Sequence, residues 1–332
     1  MKSFEYANPQ TESEALVLLN DHGGQTAVLA GGTALISLLK QHLVTPERVV
    51  DIKNVPSFQG ILPVDDGIVI GASTTLEEMS ASPLLADYPS LLHVVDNTRA
   101  IQIQSMGTIA GDLCHLPNCW YFRNGYGLLG VENGESLVET GDNRYHAILG
   151  NSGPAKFVSA SRFAPALIAW GAKVRIIGPA PDQEEVVPME FFYVTPRTDN
   201  QGVTILKPGQ LLSHIWLPHA ERLKSSSYEM MEMEGLDWPL AAAASCLDLQ
   251  AGGIIRRASI VMGHVAPTPW VAHEAQEVIV GKPLNEDTAD LAGTIAVSRA
   301  TPLSGNDYKV QIAKASVKRS LLKAGGLLEG GL

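Results

Sequence analysis

The sequence has 332 residues, of which 45% are hydrophobic and 18% charged, as expected for a globular chain with a large apolar core. The formal net charge is −11 without a Lys/Arg cluster, which argues against a nucleic-acid surface. No apolar run approaches the roughly 20 residues of a membrane span, and the N-terminus lacks the apolar core of a signal peptide. Three cysteines are too few for a disulfide framework. We therefore expect two or three domains in a cytoplasmic protein, unless a partner subunit carries it elsewhere.

The first fifty residues predict a small α/β unit. Thr11-Glu12-Ser13-Glu14 has the spacing of a capping box, and the apolar residues after it predict a helix that ends at Gly23-Gly24. Residues 26–29 predict a strand, 34–41 a helix and 48–52 a second strand. A glycine turn thus lies at the centre of this unit.

That glycine turn, Gly31-Gly32-Thr33, joins the first strand to its helix. Two adjacent glycines allow positive φ and let backbone N–H groups approach a ligand without an intervening Cβ. Thr33 adds a hydroxyl where the helix would begin, and the free N–H groups of a first turn favour an anion. Alone, the loop is either an ordinary strand-to-helix turn or a phosphate-binding turn.

A second loop of this kind lies downstream, in residues 101–113. Here Gly107 and Gly111 bracket Thr108, again beside apolar residues that are typical of strands. The chain before it predicts a strand and two helices, at 67–72, from 74 to 78 onward and at 84–97. Two small-residue loops, each with a threonine, could converge on one elongated phosphate-bearing ligand from opposite sides.

Several phrases of the sequence resemble one family. They are Ala-Gly-Gly-Thr-Ala-Leu at 30–35, Thr-Ile-Ala-Gly-Asp at 108–112, and the segments 70–76, 164–174, 191–192, 206–212, 263–269 and 304–309. Together they span nearly the whole chain. The chain resembles the FAD-binding medium subunit of the molybdenum hydroxylases, which include xanthine dehydrogenase, carbon monoxide dehydrogenase, aldehyde oxidoreductase and 4-hydroxybenzoyl-CoA reductase.

The resemblance implies an α+β fold with two domains. Residues 1–222 would form a two-part FAD-binding domain of the vanillyl-alcohol-oxidase/PCMH type, with subdomains at about 1–57 and 58–222 and an insertion at 114–157. Residues 223–332 would form a smaller α+β domain of the CO-dehydrogenase flavoprotein type. Both loops would hold the FAD pyrophosphate through backbone donors, and the residues carried over as FAD-binding are Leu29, Ala30, Gly31, Gly32, Thr33, Ala34, Leu35, Gly107, Thr108, Gly111, Asp112 and Leu212.

The sequence departs from the family pattern at polar positions of both loops. Ala34 stands where the family has Asp or Asn, and Gln104-Ser105 replaces a common Arg-Asn pair. Asp112 replaces Asn and would set a carboxylate close to phosphate, which Coulomb repulsion disfavours unless that carboxylate faces a hydroxyl or a backbone donor. Because backbone N–H groups would do most of the binding, we still expect FAD to be held.

The insertion carries two cysteines. Some relatives bind a [4Fe–4S] cluster in such an insertion, and such a cluster needs four thiolates. This chain has only Cys114, Cys119 and Cys246, so we expect no cluster. A zinc site made of Cys114, His115, Cys119 and His146 is a less favoured alternative, because zinc sites usually pair two short ligand motifs. We favour a loop whose aromatic residues pack onto the FAD domain, and whether residues 143–146 approach the flavin or a partner is open.

After a polar link at 218–227, the last third predicts an antiparallel sheet followed by helices. The predicted strands are 227–233, 240–249 and 254–263, with a hairpin turn at 251–253, and the predicted helices are 270–279, 286–298 and 307–324. The methionines at 230, 231 and 233 beside Leu236-Asp237-Trp238-Pro239 are interpreted mainly as strand residues that meet the core or a partner. The resemblance makes Asp237 and Trp238 weaker candidates near the flavin ring. Residues 325–332 predict a loose tail or a strap onto a neighbour.

The sequence contains no catalytic triad or paired carboxylates, and a flavin needs neither. The resemblance implies an FAD-carrying electron-transfer subunit in a heterotrimer. A large molybdopterin subunit would act on the organic substrate, a small [2Fe–2S] subunit would pass electrons, and FAD would exchange them with NAD⁺, oxygen or another acceptor. The alternatives are a stand-alone FAD-dependent reductase and a scaffold subunit that has lost its flavin.

Overall fold

The computed structural model describes residues 1–21, 25–233 and 237–328. The predicted helix end at Gly23-Gly24, Leu236 of the candidate segment, and the last four residues of the predicted tail lie outside these described residues.

The N-terminal unit is a three-stranded parallel sheet in the order β1-β3-β2, with a helix after each of the first two strands. Its elements are β1 (Glu5–Ala7), α1 (Glu12–Asn20), β2 (Thr26–Leu29), α2 (Leu35–Lys40) and β3 (Arg48–Asp51). Thr11 caps α1 by accepting a hydrogen bond from the Glu14 N–H at 3.1 Å. The Glu14 carboxylate accepts from the N–H of Gln10 instead of Thr11, so only half of the predicted capping box forms.

The second unit is built on a five-stranded antiparallel sheet in the order β4-β5-β10-β8-β9. Its elements are β4 (Ile61–Val64), β5 (Gly67–Gly71), α3 (Leu76–Ala81), α4 (Pro89–Asn97), α5 (Ile101–Met106), α6 (Ile109–Leu113), α7 (Trp120–Arg123), β6 (Val131–Glu132), β7 (Glu135–Ser136), α8 (Leu137–Thr140), α9 (Ala164–Ala169), β8 (Lys173–Ile177), β9 (Glu184–Pro188) and β10 (Leu211–Pro218). One apolar core joins this sheet and its helices to the N-terminal unit.

Two predictions in this unit were wrong. The helix predicted at 84–97 is divided, because Pro89 occupies the first turn of α4 and cannot continue a preceding helix. The apolar residues before Gly107 form α5 and not a strand. Ile101 and Ile103 alternate as in a strand, but both are exposed, so no sheet face receives them.

The insertion is more structured than the predicted loop. It contains α7, the two-stranded ribbon β6–β7 and α8. Its apolar residues, among them Phe122 and Phe157, pack in one cluster with Leu38 of α2, as the aromatic composition predicted. The insertion therefore joins the N-terminal unit through its own small core.

The C-terminal domain is the predicted antiparallel sheet with helices, but two bounds were wrong. Its first strand begins at Lys224, inside the predicted link, and residues 270–271, which were predicted as helix, form a fourth strand. Its elements are β11 (Lys224–Met230), β12 (Ala241–Leu249), β13 (Ile255–Gly263), β14 (Trp270–Val271), α10 (His273–Ile279), α11 (Glu286–Ala296) and α12 (Tyr308–Ala324), with the strands in sequence order. Gly252 and Gly253 turn β12 into β13 with φ of 78° and 74°, as the predicted hairpin requires. Among the described residues, no helix is both long and apolar enough to cross a membrane.

A buried ion pair joins the two domains. The Arg162 guanidinium donates to both carboxylate oxygens of Glu229 on β11, with Nε–Oε1 and Nη2–Oε2 distances of 2.9 and 2.6 Å. The side chains are only 11% and 1% exposed. Beside the pair, the Ser90 N–H donates to Ser225 Oγ, and the Trp170 indole donates to Ser90 Oγ. The interface therefore depends on polar groups that have lost their water.

Glu229→Ala should lower the free energy of unfolding by about 3–5 kcal/mol, because it leaves the Arg162 charge buried without its carboxylate. Urea denaturation followed by circular dichroism measures the change. The control is Glu274→Ala, which breaks the exposed pair of Glu274 with Arg299 and should cost under about 1 kcal/mol. Equal losses in the free energy of unfolding of the two variants would contradict the inference that the buried pair stabilises the interface.

Stability should fall as the pH falls from 6.5 toward 4. Burial lowers the pKa of His93 and of His146 to about 4 and that of His264 to about 3, so the folded protein holds them neutral while the unfolded chain takes up protons near 6.5. Each histidine should contribute about 3 kcal/mol to the loss. His93→Gln should weaken the dependence of the free energy of unfolding on pH. A urea midpoint that stays constant between pH 6.5 and 4 would contradict the prediction.

Candidate functional site

The first glycine loop connects β2 to α2 in a conformation that only glycine adopts easily. Gly32 has a φ of +75°. Helix α2 has Ala34 at its N-cap without a side-chain hydrogen bond, so the Thr33 hydroxyl does not cap it. The position of Thr33 suggested an N-cap, but its hydroxyl accepts no hydrogen bond from the first turn of α2.

The two glycine loops are in direct backbone contact. A Cβ built on Gly31 would lie 1.8 Å from the Met106 carbonyl oxygen and 3.0 Å from the Cα of Gly107. No side chain fits in that space. The absence of a side chain at position 31 is thus what allows the loops to meet.

Two adjoining cavities open around this contact. The first-loop cavity, of about 290 Å³, is lined by Ala30, Gly31, Gly32, Thr33, Ala34, Leu35, Thr108, Gly111 and Leu212, together with residues of neighbouring segments. The second-loop cavity, of about 260 Å³, is lined by Thr33, Gly107, Thr108, Gly111 and Asp112, among others. Gly32 and Gly111 thus line the same cavity, and Thr33, Thr108 and Gly111 border both.

Leu29 is the one predicted residue that lines neither cavity. It ends β2, and its carbonyl accepts from the Ile52 N–H at 3.0 Å. Its Cδ1 atom lies 3.1 Å from the position that a Cβ of Gly32 would occupy. Leu29 therefore packs against the first loop without lining either cavity.

The backbone donors of the two loops are used differently. Among the residues that the structure describes, the N–H groups of residues 32–35 donate to no protein acceptor, and Ile36 is the first whose N–H bonds within the turn, to Gly32. In the second loop, the Gly107 N–H donates to Ile103, and the Gly111 N–H donates to the Thr108 hydroxyl at 3.2 Å. Free donors for an anion therefore come mainly from the first loop.

The Asp112 carboxylate borders the second-loop cavity and is bound by donors of a neighbouring segment. Its carboxylate accepts hydrogen bonds from the Ser161 hydroxyl and from the N–H groups of Arg162 and Phe163, the last two at 3.1 Å. Burial raises the pKa of Asp112, and these hydrogen bonds oppose that rise. The carboxylate thus meets the condition under which an acid is tolerated here, because it faces a hydroxyl and backbone donors.

His115 and Arg162 are among the lining residues that were not predicted as part of the site. His115 borders both cavities, and its ring meets the edge of Trp238 at a centroid distance of 5.0 Å. Arg162 borders the second-loop cavity while it holds Glu229. Trp238 and Asp237, the weaker candidates, border the same cavity. Arg162 lies two residues before the family phrase at 164–174, which was the only local signal for it.

The cysteines take separate positions. Cys114 ends α6, where burial raises its thiol pKa to about 12. Cys119 Sγ lies 3.2 Å from His146 Nε2, so two of the four candidate zinc ligands meet. Within the described chain, no group of three or more His, Cys, Asp or Glu side chains is placed to hold a metal ion.

Comparisons with known proteins agree over nearly the whole chain. A family model described as the FAD binding domain in molybdopterin dehydrogenase matches residues 2–220, and one described as the CO dehydrogenase flavoprotein C-terminal domain matches 226–324. The chain is 28% identical to the carbon monoxide dehydrogenase medium chain of Afipia carboxidovorans, over 97% of this chain and 96% of the relative. It is 24% identical to an aldehyde oxidoreductase FAD-binding subunit of Escherichia coli, over 98% and 99%. The crystal structure of a cyanide-inactivated Cu,Mo-CO dehydrogenase contains a similar chain, with a TM-score of 0.77, 26% identity and coverage of 98% and 99%.

Gly31→Ala should lower the free energy of unfolding by about 1–3 kcal/mol, because the new methyl group overlaps the Met106 carbonyl. Thermal melting followed by circular dichroism measures this loss. Gly153→Ala is the matched control, since a Cβ there meets nothing within 4 Å. A Gly31→Ala melting temperature equal to that of the control would show that the loops separate at little cost.

Proposed function

The chain belongs to the family described as the FAD binding domain in molybdopterin dehydrogenase, and from this premise we propose that it is the FAD-carrying electron-transfer subunit of a molybdenum hydroxylase-type oxidoreductase. In this role it passes electrons between the [2Fe–2S] centres of a partner and an acceptor or donor. The observation that carries the proposal is the closure of two glycine loops around one pair of cavities.

The residues around the cavities fit an FAD molecule. Gly31 and Gly32 form a cradle that a Cβ would fill, and the unused N–H groups of residues 32–35 are suited to a diphosphate. We propose that the first loop, residues 29–35, binds the pyrophosphate, and that Gly107, Thr108 and Gly111 close the opposite wall. Leu212, buried on β10, offers an apolar surface to the rings. Asp112 acts indirectly, by fixing the second loop to residues 161–163.

Bound FAD supplies reversible redox chemistry, while the protein sets its position and surroundings. In this chain the wall beyond the second loop includes His115, Arg162 and Trp238. Burial lowers the pKa of His115, so its ring is neutral at neutral pH. Arg162 is held in an ion pair with the buried carboxylate of Glu229. The chain thus places a buried ion pair, and not a lone positive charge, beside the second-loop cavity.

We further propose the assembly that the family implies, a heterotrimer with a large molybdopterin-binding subunit and a small [2Fe–2S] subunit. The relatives named above as a medium chain and as an FAD-binding subunit support this arrangement. NAD⁺ or another small molecule would be the final acceptor. The three free cysteines are compatible with a cytoplasmic location.

We set the domain boundary between residues 222 and 223, with subdomains at about 1–57 and 58–222 and the insertion at 114–157. The sheets support this division. One lies between residues 5 and 51, the second between 61 and 218, and the third begins at Lys224. The separate family matches to residues 2–220 and 226–324 also support it.

FAD titration of the purified chain should produce the visible absorption of bound oxidised flavin and quench its fluorescence. Gly31→Ala should weaken FAD binding at least tenfold, because the cradle depends on that backbone contact. Gly153→Ala should leave it unchanged. Loss of bound flavin with no recovery on adding FAD would favour the scaffold alternative.

Co-purification from the native source separates the remaining alternatives. An electron-transfer subunit should purify with two other chains, and the organic substrate of that complex should bleach its flavin under anaerobic conditions. A chain that purifies alone and whose flavin is reduced directly by NADH or NADPH would be a stand-alone reductase.

A further inference from the structure

A third cavity, the aromatic chamber, lies between the insertion and the C-terminal domain. It has a volume of about 220 Å³, and its walls include Trp120 and Tyr145 from the insertion and Trp238 from the segment before β12. Tyr145 and Trp238 are each 37% exposed, so the chamber is open to solvent. None of the residues carried over as FAD-binding lines it, whereas the weaker candidates Asp237 and Trp238 and the candidate zinc ligands Cys119 and His146 do.

Two carboxylates line the chamber. Glu232 and Asp237 line it, and none of its described lining residues is a lysine or an arginine. Glu232 accepts a hydrogen bond from the Tyr145 hydroxyl at 2.9 Å, and Asp237 accepts one from the Met233 N–H at 3.0 Å. Neither carboxylate forms an ion pair with a described residue. The two carboxylates give this part of the lining a negative charge.

The histidines of the chamber do not offset this charge. Burial lowers the pKa of His146 to about 4 and that of His264 to about 3, so both rings are neutral at neutral pH. The Arg144 guanidinium is paired with Asp142 at 2.5 Å and does not line the chamber. The Lys309 ammonium lies behind the wall, where it donates to the backbone carbonyls of Tyr145, His146 and His264.

Two aromatic rings of the chamber already contact a guanidinium group that does not line the chamber. The Arg144 guanidinium carbon lies 5.8 Å from the ring centroids of both Trp120 and Tyr145. These two rings are themselves 5.3 Å apart and tilted by 58°. Arg144 is not a lining residue, so the chamber keeps aromatic surface from Trp120, Tyr145 and Trp238. Electron-rich ring faces next to carboxylates are the usual recognition elements for organic ammonium groups.

We propose that the aromatic chamber binds a small organic cation of the quaternary ammonium or N-alkylpyridinium type. The rings contact the apolar surface of such a ligand, and Glu232 and Asp237 balance its charge. An uncharged aromatic molecule would leave both carboxylates partly desolvated without compensation. A metal ion is disfavoured, because the described side chains offer no group of three ligands and the rings cannot replace its water shell.

The chamber adjoins the proposed FAD site. Asp237 and Trp238 line both the chamber and the second-loop cavity, and Trp238 lies between the rings of His115 and His264. A bound cation would therefore lie next to the cleft that we assign to FAD. The binding itself does not depend on FAD, so it can be tested with and without flavin.

The test compares two ligands of the same shape, N-methylpyridinium and toluene, by ligand-observed NMR titration of the full chain. The cation should bind at least tenfold more tightly than toluene. Glu232→Gln should weaken N-methylpyridinium binding about three- to tenfold and leave toluene unaffected. Trp238→Leu should weaken it about tenfold through the loss of a ring face.

The matched control is Glu132→Gln, which removes the same charge from the exposed β6–β7 ribbon outside the chamber. The affinity of the Glu132→Gln variant for N-methylpyridinium should stay within about twofold of the wild-type value. Equal binding of the two ligands would overturn the proposal, as would equal effects of Glu232→Gln and Glu132→Gln. If Trp238→Leu fails to fold, the two glutamate variants still decide. A chain that binds the cation but not FAD would refute the proposed function without refuting this site.

Discussion

The contact of the Gly31 backbone with the Met106 carbonyl is the constraint from which the rest of the site follows. It joins two loops that are more than seventy residues apart, one from the parallel sheet and one from the helical layer above the antiparallel sheet. Because the contact excludes any side chain, the two backbones approach closely, and the walls of the cleft there include peptide groups and threonine hydroxyls. A peptide-lined cleft of this kind binds anions through dipoles that are already oriented, at no cost in side-chain entropy.

The elements that the sequence predicted well are those whose signals are local. The strand, glycine turn and helix around Gly32 were predicted from a β-branched run, a Gly-Gly pair and helical spacing. The hairpin at Gly252-Gly253 required positive φ at both residues, and the structure shows it. Helices α11 and α12 begin and end within two residues of their predicted bounds, because their apolar faces repeat with helical period. In the same way, the two loops that border one cleft were identified from residues close together in sequence.

What could not be predicted depends on partners far away in the chain. Helix α5 alternates Ile with Gln like a strand, and only the lack of a neighbouring strand shows that it is not one. The Arg162–Glu229 pair joins positions 67 residues apart, with no pattern near either residue to reveal it. Asp112 looked like an electrostatic conflict because its three donors, at residues 161–163, were invisible from its own loop. An asparagine there would offer one acceptor oxygen and an NH₂ group to those donors, so the carboxylate suits this chain better.

The insertion explains why the C-terminal domain is part of the site. Lys309 at the start of α12 donates to the carbonyls of Tyr145, His146 and His264, so one ammonium group binds the insertion and β13 together. This places the aromatic residues of the insertion opposite Trp238, whose other side meets His115 at the end of the second loop. The cleft is therefore closed by residues of both domains, and neither domain alone contains all of its walls. A change that moves β11 against the FAD-binding domain must also move Trp238 relative to Gly111. The buried Arg162–Glu229 pair, which resists that movement, thus stabilises the geometry of the site as well as the interface.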